Sequence, residues 1–274
     1  MSKSRTVSPI MKQYQRIKNE HKEAILFFRL GDFYEMFYED AIIASEVLEI
    51  VLTKKTFGLN EDKAPLAGIP VKTADAYIAK LVKAGYKIAI CEQVSNAPTA
   101  KGLVDRKVVR IVSPGTATDD TILDSNENNF LLSIGILDDK TAIAYIDVST
   151  GESEVLQIKN DYNYEKLLSN IIKVNPVEIV LLVLNTPEKL LKKIKTLQKE
   201  ISQTDDDKIF EENFEIDKYA EVEILALNIL FTYAERMCPD LIYYAKKPRV
   251  FKNENIMNLD GNTIRNLELL ETLF

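Results

Sequence analysis

From Ala24 to Ala41 the chain reads AILFFRLGDFYEMFYEDA, and no other stretch limits the fold as tightly. An apolar strand over Ala24 to Leu30 leads into Gly31-Asp32, which most simply makes a turn, and then into Phe33-Tyr34-Glu35. If the backbone stays extended after the turn, residues at i and i+2 leave from the same side. Phe33 and Glu35 then present one apolar and one acidic tip together, while Tyr34 and Met36 point the other way. Tyr34, Met36, Phe37 and Tyr38 are expected in the core.

Such a pair of tips suits the interrogation of a base stack. An apolar side chain pushed into the minor groove unstacks a step and kinks the duplex, at less cost where the step is already weak, as at a mispaired or unpaired base. A carboxylate brought against phosphates is repelled by roughly 1 kcal/mol at 4 Å in bulk water, and by about 4 at an effective dielectric of 20, so Glu35 penalises ordinary duplex. An imino N–H freed from Watson–Crick pairing can donate to the carboxylate, or a protonated Glu can donate to a purine N7. A strand with this alternation also serves as plain core, aromatic in and acid out. The tripeptide alone does not separate the two uses.

The flanking pattern predicts two α/β units. Ser8-Pro9 reads as an N-cap followed by proline at N1 of a helix to about Asn19, Tyr38 to Leu48 as a helix, and Thr73 as the cap of a helix ending at Gly85. Strands are expected over Tyr86 to Cys91 and Lys107 to Val112. The polar run 116–129 reads as a linker. From Phe130 the pattern restarts, with strands at Phe130 to Leu137, Ala142 to Val148 and Ser153 to Ile158. A helix (Tyr164 to Val174), a strand (Val177 to Leu184), a helix (Glu188 to Lys199) and an apolar helix (Val222 to Met237) follow. Three hairpin-linked strands and then alternating helix and strand suggest a mixed sheet.

In order, SPIMKQY (Ser8 to Tyr14), FFRLGDFYEMFYEDA, LTKK (Leu52 to Lys55), APLAGIP (Ala64 to Pro70), YIAKLVKAGYKIAICEQV (Tyr77 to Val94) and RKVVRIVSPGT (Arg106 to Thr116) resemble the N-terminal part of the MutS family of DNA mismatch-repair proteins. After Pro70 the family usually continues Tyr-His, where this chain has Val71-Lys72. The resemblance implies an α+β mixed-sheet mismatch-recognition domain over 1–115, a linker over 116–129, and a ribonuclease-H-like α/β connector over 130–252. It implies the truncated start of the core/lever domain over 253–274. Phe33 would stack on the mismatched base and Glu35 hydrogen-bond to it. The implied partners are double-stranded DNA with mismatches or small insertion/deletion loops, MutL through the connector, and a second copy through C-terminal parts outside this chain. ATP and Mg²⁺ would belong to the family's ATPase domain; no GxxxxGK[ST] loop occurs in these 274 residues. No catalytic residue, cofactor or metal is expected in the fragment.

The net charge of −7 divides into +5 over residues 1–115 and −12 over 116–274, so the first part is the plausible nucleic-acid half and the second suits protein contacts. Lys54, Lys55, Arg106, Lys107 and Arg110 are the candidate phosphate contacts. No apolar run reaches membrane-spanning length, and two separated cysteines without a CxxC pair fit a reduced, cytoplasmic protein. A single histidine argues against a histidine-rich metal site or a serine–histidine triad. The rival reading is a ribonuclease-H-like nuclease with Asp147 as metal ligand, and Glu178 or Asp205-Asp206-Asp207 as further carboxylates. Otherwise Asp147 caps a turn.

Overall fold

Ser8 opens the first helix by accepting a hydrogen bond from Met11 N at 3.4 Å, and Pro9 at the first helical position needs no donor partner. The computed structural model describes residues 8–56, 63–94, 104–118, 128–159, 163–205 and 216–251. The chain divides into two units between Ser125 and Asn126. The first contains α1 (Pro9–Glu20), β1 (Ala24–Leu30), β2 (Phe33–Phe37), α2 (Tyr38–Leu48), β3 (Thr53–Lys55), β4 (Ala64–Pro70), α3 (Ala74–Lys83), β5 (Lys87–Gln93) and β6 (Arg106–Val112). Its sheet has the order β3-β4-β2-β1-β5-β6, with β1 and β5 parallel and every other pair antiparallel.

The two faces of this sheet are covered unequally. Phe27, Tyr34, Met36 and Ile69 pack on one side with Ala41, Ala44 and Leu48 of α2 and Ile78, Leu81 and Val82 of α3. On the other side α1 packs across part of the sheet, where Tyr14 stands edge-on to Phe28 and Phe37 with ring centroids 5.5 and 4.8 Å away and Gln13 bonds Arg106 of β6. Phe33, at the opposite end of β2 from Phe37, stays open to solvent.

Buried Asp40, in the first turn of α2, joins this arrangement together. It accepts hydrogen bonds from Leu26 N at 3.0 Å and Tyr14 Oη at 3.2 Å, and pairs with Lys18 Nζ at 2.8 Å. One carboxylate thus fixes α1, β1 and α2.

APLAGIP, for which the sequence pattern predicts no element, is an internal strand, β4; its two prolines lie second and last in it, so the middle of the ladder keeps its donors. Other elements differ from the sequence expectation. Tyr38 is half-exposed at the mouth of α2, with φ of 55°, and is not core. The first unit runs past Gly115: Thr116 bonds back to Ser113 N at 3.0 Å and Ala117 is buried in the core. The remaining linker positions, 119–127, lie outside the described residues, as do 252–274 with their expected final helix.

The second unit contains β7 (Phe130–Leu137), β8 (Lys140–Asp147), β9 (Glu152–Lys159), α4 (Glu165–Val174), β10 (Glu178–Leu182), α5 (Glu188–Lys195), β11 (Glu200–Thr204), α6 (Glu221–Met237) and β12 (Arg249–Val250). β7, β8 and β9 form the antiparallel meander that the sequence suggests, and β10, β11 and β12 add parallel to give the order β11-β10-β7-β8-β9-β12. α4 and α5 bury Leu167, Ile171, Leu190 and Ile194 on one face. On the other, α6 packs so closely on β7 that a Cβ at Gly135 would lie 2.7 Å from Ala226 N. α5 ends at Lys195, short of the expected Lys199, because Gln198 takes a left-handed conformation and the chain enters β11.

Asp40→Ala should destabilise the protein by about 3 kcal/mol, since it leaves the buried Leu26 N without its acceptor and removes the ion pair to Lys18, while Tyr14 Oη keeps Phe37 O and Lys18 Nζ keeps Ala24 O. Denaturant unfolding measures this; a loss under about 1 kcal/mol would contradict the assigned role.

Candidate nucleic-acid interface

Gly31, at φ of 63°, and Asp32 turn the chain so that β2 begins with Phe33. Phe33 lies between Leu30 of β1 and Pro70 of β4, and the residue is 48% exposed. Val71 N donates to Asp32 O at 2.9 Å, tying the exit of β4 to the turn. Two residues on, Glu35 lies between Phe28 and Gly68. A Cβ added at Gly68 would meet Glu35 Cγ at 3.7 Å, an ordinary van der Waals contact, so Glu35 lies directly beside the β4 backbone. The pleat therefore puts both tips on the open face and sends Tyr34 and Met36 into the core, as the sequence pattern implies.

Glu35 is held at a cost. Its Oε1 is 4.0 Å from Lys55 Nζ, and its Oε2 is buried with no hydrogen-bond partner among the described residues. Burial pushes its pKa above the ordinary glutamate value, and the attraction of Lys55 opposes the rise. A buried acceptor left unpaired is unfavourable, and an incoming N–H donor relieves it.

The five candidate cations do not form one patch. Lys55 pairs with Ala64 at the sheet edge and shares the face of Glu35, whereas Lys54, opposite Pro65, projects from the reverse face. Exposed Lys107 lies opposite Glu92, and Arg110 lies opposite Ile90 and donates from Nη2 to Thr118 Oγ1 at 2.9 Å, both towards the α2 and α3 side. Arg106 departs from the expectation of a phosphate contact. It is 6% exposed, its Nε donates to Arg29 O at 2.7 Å, its Nη1 donates to Val104 O at 2.7 Å and Gln13 Oε1 at 3.1 Å, and it lies over the Phe28 ring. It braces the sheet.

The nuclease carboxylates fare no better. Asp147 Oδ1 accepts from Ser149 N at 2.9 Å and Ser149 Oγ at 2.6 Å, and its carbonyl accepts from Gly151 N, which makes it the cap of the β8–β9 turn. Glu178 is fully buried, with Ser202 and Tyr233 hydroxyls donating to it. Among the described residues no three Asp, Glu, His or Cys side chains converge as a metal site would need, and Asp206 and Asp207 lie outside them. A metal-dependent nuclease is not favoured.

Fold and site together define a two-module α/β protein that displays an aromatic tip and a half-buried carboxylate on the open face of its first sheet. Residues 8–121 match the family model of MutS domain I, and residues 129–238 that of MutS domain II. The DNA mismatch repair protein MutS of Caldanaerobacter subterraneus subsp. tengcongensis is 41% identical over 97% of this chain and 32% of its own length. The protein of the same description from Acetivibrio thermocellus is 41% identical over 98% and 32%, and that from Clostridioides difficile 37% identical over 97% and 29%. The chain belongs to the MutS family, and it spans about a third of the length of these curated relatives. No described helix is long and apolar enough to cross a membrane.

Glu35→Gln should raise the thermal midpoint at neutral pH. A carboxyl whose folded pKa is raised favours folding while protonated and loses that contribution as pH climbs through the folded value. The amide escapes this loss, so the gain should vanish at about pH 4 and below, where Glu35 is protonated in both states. A gain independent of pH in melting curves would contradict the charge-burial account.

Proposed function

We propose that the protein senses mispaired and unpaired bases in duplex DNA: Phe33 enters the stack from the minor groove, and Glu35 bonds the displaced base. The observation that carries this reading is the exposed Phe33 ring on the same strand face as a carboxylate whose buried oxygen has no donor among the described residues. A ring can unstack a step only where the step yields. The carboxylate then selects, because a mispair offers a free imino donor and a Watson–Crick pair does not. Lys55 offsets the Glu35 charge in the free protein and, at the sheet edge on the same face, contacts a backbone phosphate in the complex.

Residues 1–274 act as the N-terminal part of a longer mismatch sensor of the cytoplasm. The second module contacts MutL through its acidic surface and relays the state of the first. The longer protein binds DNA as a dimer, and ATP and Mg²⁺ belong to parts outside residues 1–274. Base sensing by Phe33 and Glu35 uses neither.

The test is the affinity of the full-length protein for matched and mismatched duplexes at one fixed salt concentration. Phe33→Ala should erase a mismatch preference by about tenfold or more, the scale of one lost base–aromatic stack, and leave matched binding unchanged. Glu35→Ala should tighten binding to matched duplex by removing a repulsion of about 1 kcal/mol. Equal losses on both duplexes would overturn the reading. Lys55→Ala should weaken binding to every duplex and reduce the slope of log affinity against log salt by about one; an unchanged slope removes the phosphate contact.

A further inference from the structure

On the reverse side of the sheet from Phe33, Glu92 of β5 joins three strands. β1 lies between β2 and β5, so this carboxylate reaches one neighbour and one strand beyond it. Its Oε2 accepts from Arg29 Nη1 of β1 at 2.8 Å, and its Oε1 accepts a short hydrogen bond from Tyr34 Oη of β2. The same Arg29 donates from Nε to Gly31 O at 3.1 Å, inside the turn. The turn on one side of Phe33 and the residue on its other side are therefore both fastened to one carboxylate.

We infer that Glu92 is a positioning residue for the Phe33 tip, stiffening the β1–β2 hairpin through Arg29 and Tyr34. The inference rests on the proposed role of Phe33 as the probe. Discrimination by deformability compares the energy needed to open a soft step with that needed to open a sound one. A ring pressed against a stack meets a load of a few kcal/mol. If the hairpin bends first, the deformation enters the protein and the difference between the two steps is lost. Without Glu92, the turn keeps the pairing of Phe33 with Leu30 and Pro70, the Val71–Asp32 hydrogen bond and the Arg29 bond to Gly31 O, but Arg29 and Tyr34 are no longer tied to each other through β5. Glu92 itself is partly exposed, with 26% of its side chain accessible, so its task is separable from filling the core.

The test is a double-mutant cycle in the full-length protein, reading the ratio of mismatched to matched duplex affinity. Glu92→Gln should lower the ratio by about fivefold with matched binding unchanged, and should lower it no further when added to Phe33→Ala. A ratio within about twofold of the parent, or an equal fall in both backgrounds, overturns the inference. Should Glu92→Gln not fold, Tyr34→Phe keeps the ring in the core and deletes only its bond to Glu92. It should lower the ratio by about twofold, and an unchanged ratio is equally fatal. Phe33→Ala alone separates the two claims: if it leaves the ratio intact, the probe reading fails; if it erases the ratio while Glu92→Gln does not, only the brace fails.

Discussion

The pleat of β2 is the constraint on which the site depends. Because successive side chains leave opposite faces, burying Tyr34 and Met36 under α2 and α3 forces Phe33 and Glu35 outward together. A slip of one residue would exchange the sets and put a carboxylate into the core. The buried Tyr34 ring and Met36 side chain, each worth on the order of 1.5–3 kcal/mol when fully buried, thus hold the register that displays Phe33 and Glu35.

The open face is incompletely covered for a reason that lies in α1. Tyr14 reaches Phe28 and Phe37 and closes the end of the sheet near α2, and Asp40 locks that closure through Tyr14, Leu26 and Lys18. The other end carries a ring exposed to water and a carboxylate oxygen with no donor among the described residues. Locally unfavourable features of this kind are tolerated where the surrounding structure fixes them, and they gather at sites that await a ligand.

Local pattern made much of this legible. The apolar run at Ala24–Leu30, the Gly31-Asp32 turn, the alternation after it and the helical spacing of Tyr38–Leu48 are signals carried within a few residues. Long-range partnership was not legible. Arg106 reads as a free cation beside Lys107, yet its guanidinium meets Gln13 and the Arg29 carbonyl, far away in sequence. Ala64–Pro70, with its two prolines, carries no strand signal of its own, and only its place between β3 and β2 makes it a strand. Which of Lys54 and Lys55 stands beside Glu35 follows from pairing register, which spacing alone does not state. The Glu92 brace requires the strand order β2-β1-β5, and Asp147 shows its turn-capping role only once Ser149 is seen bonded to it.

The most direct measurement is a structure of the full-length protein bound to a duplex with one mispair. The account predicts the Phe33 ring stacked on a base of the mispair at about 3.5 Å, with Glu35 Oε2 within about 3 Å of a base nitrogen. A complex in which the mispair is engaged while the Phe33 ring stays outside the stack would contradict it.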